Sequence, residues 1–142
     1  MKYNKARKYL EYIQDAEGKI QNKMIEKFQV KSLLTSITAP TDREAVQTSG
    51  VSDKNGNLIV RLDEIERQLA SLIEAFVDAK LERIATIEKL GEGLEYMVLH
   101  QRYVQYKKLV DIASSLDYSY DYIREIHENA LEKVENFINS PH

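Results

Sequence analysis

Seven apolar residues, Leu58, Leu62, Ile65, Leu69, Leu72, Phe76 and Ala79, follow one another at alternating intervals of four and three without a break. A helix of about 3.6 residues per turn keeps such a series on one face, as the a/d seam of a coiled coil, whereas a strand would scatter it over two faces. The series therefore demands a helix from Asn57 to about Leu90 and a second apolar surface of comparable length to cover it. Beyond Ala79 the stripe shifts to Ile84, Ile87 and Leu90.

The chain supplies such a surface upstream. Between Lys2 and Ser36, Ala6, Leu10, Ile13, Ile20, Met24, Phe28 and Leu34 recur at helical spacings among Lys and Glu residues. At ~1.5 Å per residue this helix spans roughly 50 Å, which suits it as the partner of the seam. Pro40 and the Asp53-Lys54-Asn55-Gly56-Asn57 cluster are breaker and turn signals. The expectation is an antiparallel, coiled-coil-like helical hairpin over 1–92 with a loop at about 37–56.

Composition narrows the chemistry. Of 142 residues 30% are charged and 43% hydrophobic, with five Gly and two Pro, a balance that fits an all-α chain. There is no Cys, which removes disulfides, thiolate zinc sites and thiol nucleophiles. No long apolar run appears, so the sequence predicts a cytoplasmic location and no membrane partner. His100, His127 and His142 lack metal-ligand spacing, and His127 is expected on the flank of a C-terminal helix. Asp53, Asn55, Asn57 and Glu64 match parts of a calcium-loop template but carry Leu58 where the turn glycine belongs, so a solvated Asn-Gly turn is expected there. No phosphate loop or nucleophile motif occurs; the sequence predicts no cofactor, no metal and no enzyme.

Gly91-Glu92-Gly93 ends the second long helix, and 93–142 reads as a separate module of three helices, Leu94 to about Val104, Lys107 to Ser115 and Tyr120 to about Ile138. Its centre has helix-turn-helix spacing. Ala113 is small where two helices cross, Leu109, Ile112, Leu116, Ile123 and Ile126 form an apolar wedge, Asp117 and Tyr118 make the turn, and Ser119 is placed to cap the next helix. A helix used this way presents its first turns to the major groove. The candidate DNA-binding residues are accordingly Lys107, Lys108, Ser119, Tyr120, Asp121, Tyr122, Arg124 and Glu125. Arg124 is suited to a guanine edge, the Tyr hydroxyls to phosphates or bases, and Lys107 with Lys108 to the backbone.

Val98-Leu99-His100-Gln101-Arg102-Tyr103, Ile112-Ala113 with Leu116, Ser119, Ile123-Arg124 with Ile126, and Ala130-Leu131 with Lys133-Val134 together resemble region four of bacterial sigma factors, in register across about 37 residues. The whole chain, including Ser36 to Thr41 and Gln47 to Gly50, is similar to phage and prophage regulators of the ArpU and RinA kind. The resemblance implies a phage-encoded, sequence-specific regulator of late genes acting on double-stranded DNA. The chain departs from the sigma pattern at the recognition helix, where Tyr120-Asp121-Tyr122 and Arg124-Glu125 stand in place of Arg-Glu-Arg and Arg-Gln, and at the turn, where Asp117 replaces Gly.

Charge is unevenly spread. Residues 1–36 carry eight Lys/Arg against four Asp/Glu, 37–93 carry seven against eleven, and 94–142 five against eight. An acidic helix-turn-helix suits a protein surface as well as DNA, so the alternative is an adaptor whose sigma-like module binds host RNA polymerase or another phage protein. The basic N-terminal helix either touches phosphates through Lys2, Lys5, Arg7 and Lys8 or pairs with the acidic second helix, the arrangement expected here. Self-association through the seam, as a homodimer or higher homo-oligomer, is also expected.

Overall fold

The computed structural model describes residues 2–38 and 49–140, with side chains from 2 to 36 and from 54 to 140. The protein is all-α: α1 spans Asn4–Thr38, α2 Ser49–Glu88, α3 Leu94–Leu99, α4 Leu109–Leu116 and α5 Tyr120–Asn139. A π-helical turn, His100–Val104, continues α3, closed by Gln105 N donating to His100 O at 3.1 Å. No described helix is long and apolar enough to cross a membrane.

The turn expected at Asp53–Asn57 is helical, because α2 already begins at Ser49. A single glycine, Gly56, costs a helix about 1 kcal/mol, an amount that propagation into the adjoining seam offsets. The partial calcium template therefore lies within α2. Of the expected loop at 37–56, residues 39–48 lie outside the described residues.

The chain divides into two compact units, one of residues 1–17 with 76–142, the other of residues 18–75. The boundary expected at residue 93 falls inside the first of them. In the first unit Ala6 and Leu10 of α1 and Ile87 of α2 are buried in one cluster with Leu99, Tyr103, Ala130, Leu131 and Val134. Helices α3 and α4 have only six and eight residues and cannot by themselves cover the rear face of the 20-residue α5. The two long helices complete that core. Tyr9 Oη meets Thr86 Oγ1 at 3.0 Å, and Arg83 donates from Nε to the Tyr9 carbonyl at 2.8 Å while its guanidinium lies over the rings of Tyr9 and Tyr12.

The basic N-terminal residues do not take the expected partner. Arg7 pairs with Glu128 at 3.1 Å, Lys5 Nζ donates to Asn139 Oδ1 at 2.6 Å, and the Ala6 amide donates to Glu135 Oε1, all on α5 rather than α2. The α1 N-terminus has unsatisfied amides that a carboxylate can accept from, and α5 carries carboxylates on the face that Ala6 and Leu10 cover.

In the second unit the seam is turned inward. Ile65 and Leu69 are buried and Leu58, Leu62 and Leu72 half-buried, while most residues between them are exposed. The facing stripe on α1 is Ile20, Lys23, Lys27, Val30 and Leu34, at spacings of three and four. Met24 and Phe28, expected to face inward, are 54% and 70% exposed. Successive steps of four advance about 40° around a helix, so the series from Ile20 through Met24 to Phe28 rotates out of the interface. Glu26 of α1 pairs with Arg61 of α2, and Lys23 lines a groove with Arg67, Gln68, Ser71 and Leu72, so residue order runs in opposite directions along the two segments. Bonds from Lys23 and then Arg61 hold the Glu26 carboxyl below its ordinary pKa.

Candidate nucleic-acid interface

Helix α4 stops because Asp117 turns left-handed, at φ 65° and ψ 40°. The Tyr118 amide donates to Ala113 O at 3.0 Å and the Asp117 amide to Ser114 O at 3.3 Å, the paired bonds of a Schellman ending. Ser119 returns to extended backbone and its Oγ accepts from the Tyr122 amide at 3.2 Å, which starts α5. The turn between α4 and α5 is thus only Asp117-Tyr118-Ser119. Asp tolerates the left-handed region better than most side chains but less well than glycine. Asp117→Gly is expected to raise stability by about 0.5–1 kcal/mol in urea melts, the relief of strain exceeding the added freedom of the unfolded chain.

The predicted wedge is assembled as one cluster. Val98, Ile112, Ala113 and Ile123 are buried, with Leu94, Leu109, Leu116 and Ile126 packed around them. Ala113 sits where α4 meets α5, so any larger side chain there would push the helices apart.

The cluster fixes α5 with its first turns exposed. Tyr120 is 45% and Tyr122 42% exposed, and Asp121, Arg124 and Glu125 are also at the surface. Arg124 pairs with Asp121 at 3.4 Å and lies 5.9 Å from the centre of the Tyr120 ring. Tyr122 packs at 5.2 Å on Tyr118. Ser119 is engaged in capping, which makes it a positioning residue for the helix end. Lys107 and Lys108 are exposed, and Lys108 is the extended residue immediately before α4.

The structure adds cations on both sides of the exposed helix end. On one side Arg102, Lys108, Leu109, Val110 and Tyr120 line a shallow depression, with Arg102 anchored by a bond from Nη1 to the Lys107 carbonyl at 3.1 Å. On the other, Lys2 and Arg7 of the α1 segment share a depression with Asp121, Arg124, Glu125 and Glu128. Arg102 was not among the candidate residues, and Lys2 was named only in the alternative in which the N-terminal helix touches phosphates. Arg102 was visible only as part of the sigma-like motif, and the position of Lys2 depends on packing between residues more than 100 apart in sequence.

Beneath this surface lies a buried polar pair. Tyr103 Oη and His127 Nε2 are 2.7 Å apart, with the rings stacked at a 21° interplanar angle. His127 is 1% exposed, so it occupies the core rather than the helix flank expected from sequence. Burial, then the charges of Arg7 and Arg102, lowers its pKa to about 4, and burial raises that of Tyr103 to about 12. At neutral pH a protonated phenol therefore shares a hydrogen bond with a neutral imidazole, whose Nδ1 lies 3.7 Å from Glu128 Oε1.

Compared with known protein families, curated proteins and solved structures, the chain matches none.

Proposed function

We propose that the protein is a sequence-specific double-stranded DNA-binding regulator that reads the major groove with the first turns of α5, the second helix of a helix-turn-helix. The observation that carries this reading is the capped, exposed end of α5 with cations on either flank, Arg102 and Lys108 on one side and Lys2 on the other. A recognition helix needs its end in the groove and basic groups on the two bordering phosphate strands. In this reading Arg124 reads a base edge, Lys107 and Lys108 hold the backbone, and no catalysis is involved. The resemblance to sigma region four and to phage regulators of the ArpU and RinA kind supports a role in late-gene control in a bacterial host.

Anisotropy titrations of the full chain with labelled phage DNA test it. Arg124→Ala should weaken specific binding about tenfold or more, since a bidentate base contact is worth ~1–3 kcal/mol. Lys108→Ala should instead weaken all sequences alike and lower the salt slope by about one. Asp121→Asn should tighten binding, because it frees Arg124 from its intrahelical partner and removes a like charge from the groove. Equal affinity of the wild type and Arg124→Ala for every fragment contradicts the proposal.

The second reading is an adaptor that binds host RNA polymerase or another phage protein. The exposed Tyr118, Tyr120 and Tyr122 among Asp117, Asp121 and Glu125 favour it, as aromatic side chains are enriched at protein interfaces. A polymerase pull-down that survives Arg124→Ala, without DNA binding, supports that reading.

A further inference from the structure

The second unit buries its seam and still leaves an apolar face open. With Ile20 and Lys27 as a and Lys23 and Val30 as d positions of α1, and Leu62 and Leu69 as a and Leu58, Ile65 and Leu72 as d positions of α2, the remaining register follows. Met24, Ile59 and Ile73 are e positions and Phe28 is a b position. When two helices run in opposite directions, their e positions lie on one side of the seam and their g positions on the other. The Glu26–Arg61 ion pair joins two g positions and marks the far side. Met24, Phe28, Ile59 and Ile73 therefore share one face, with Ile25 and Val60 at its outer edge.

These six side chains are between 42% and 70% exposed, whereas the buried hydrophobic residues described in this unit are Ile20, Val30, Ile65 and Leu69. A helix pair with so small a core gains little from its own packing. At about 100 Å² each, the six expose roughly 600 Å² per copy, so a two-copy contact buries about 1,200 Å², the lower edge of specific interfaces. Charge selects the arrangement. At the e and b positions that border this face α1 carries Lys31 and no acid within the unit, while α2 carries Asp63 and Glu66 and no base.

We propose that this face binds a second copy of the same chain, with α1 of each copy against α2 of the other, closing a four-helix bundle. Lys31 of each copy then borders the contact on the side of Asp63 and Glu66 of the other, whereas α1 on α1 would set Lys31 against Lys31. The seam, expected to be the self-association surface, is already covered within each chain. A dimer would present two copies of α5, yet the proposal stands apart from the DNA reading because its test measures mass.

Sedimentation equilibrium of the full chain over about 1–100 µM is expected to give twice the 16.5 kDa chain mass. Phe28→Glu with Ile59→Glu should raise the dimer dissociation constant at least a hundredfold without loss of helical circular dichroism. Because the natural chain has no Cys, a second measurement does not depend on how that variant folds. An equimolar mixture of Phe28→Cys and Ile59→Cys chains, oxidised and run on a non-reducing gel, should give a covalent dimer faster than either chain alone. A wild type that stays monomeric across the range overturns the proposal, and so does a mixture that cross-links no faster than Phe28→Cys alone.

Discussion

A chain cut back to residues 93–142 is expected to lose its cooperative thermal transition, although it retains all of α3, α4 and α5. The reason lies in the core of the first unit. Leu99, Tyr103, Ala130, Leu131 and Val134 are buried by Ala6, Leu10 and Ile87, which the truncation removes. Leu10 and Ile87 are each 0% exposed, and burying such a side chain is worth ~1.5–3 kcal/mol. Losing them, Ala6 and the surfaces they cover costs about 5 kcal/mol or more, comparable to the whole stability of a small domain. Within the full chain, Leu10→Ala and Leu131→Ala should each cost roughly 2–5 kcal/mol despite lying more than 100 residues apart. Thermal melts followed by circular dichroism check both statements. A fragment that melts sharply near the full-length midpoint shows that the module stands alone.

The second large effect is expected in acid. The His127 imidazole ionises at about 4 in the folded protein, against about 6.5 when exposed. The unfolded chain therefore binds an extra proton between these values, so stability is fully present above about pH 6.5 and falls as pH drops toward 4. The shift corresponds to a loss of about 3 kcal/mol across that window. Protonation would also add a positive charge to a site already under the charges of Arg7 and Arg102. His127→Phe should flatten the profile over this window, at the cost of a lower plateau because Tyr103 loses its partner. Urea unfolding at several pH values decides the matter: the stability of the wild type relative to His127→Phe should rise by about 3 kcal/mol from pH 4 to pH 7. Parallel profiles contradict the role given to His127.

Much of the fold was legible in local pattern. The seam from Leu58 to Ala79, the stop at Gly91, which takes a φ of 95°, and the cap at Ser119 each depend on residues within a turn or two of one another. The wedge of Leu109, Ile112, Leu116, Ile123 and Ile126 was visible because helical spacing alone brings it together. What misled was partner-dependent. Nothing local distinguishes Met24 and Phe28 from seam residues, since their exposure is decided by which face α2 covers. Gly56 and its Asn neighbours resemble a turn in isolation and are carried into a helix by the seam that follows. The site divides in the same way. Tyr120, Arg124 and Glu125 followed from the motif, whereas the approach of Lys2 and Arg7 and the burial of His127 arise from packing between the chain's two ends.

The central claim is that α5 reads DNA sequence. Selection of bound duplexes from a randomised pool by the full-length chain at about 50 mM salt, followed by sequencing, tests it most directly. The account predicts enrichment of a defined motif and loss of preference at one position of it with Arg124→Ala. A pool that returns unenriched, or a motif that Arg124→Ala leaves unchanged, contradicts it.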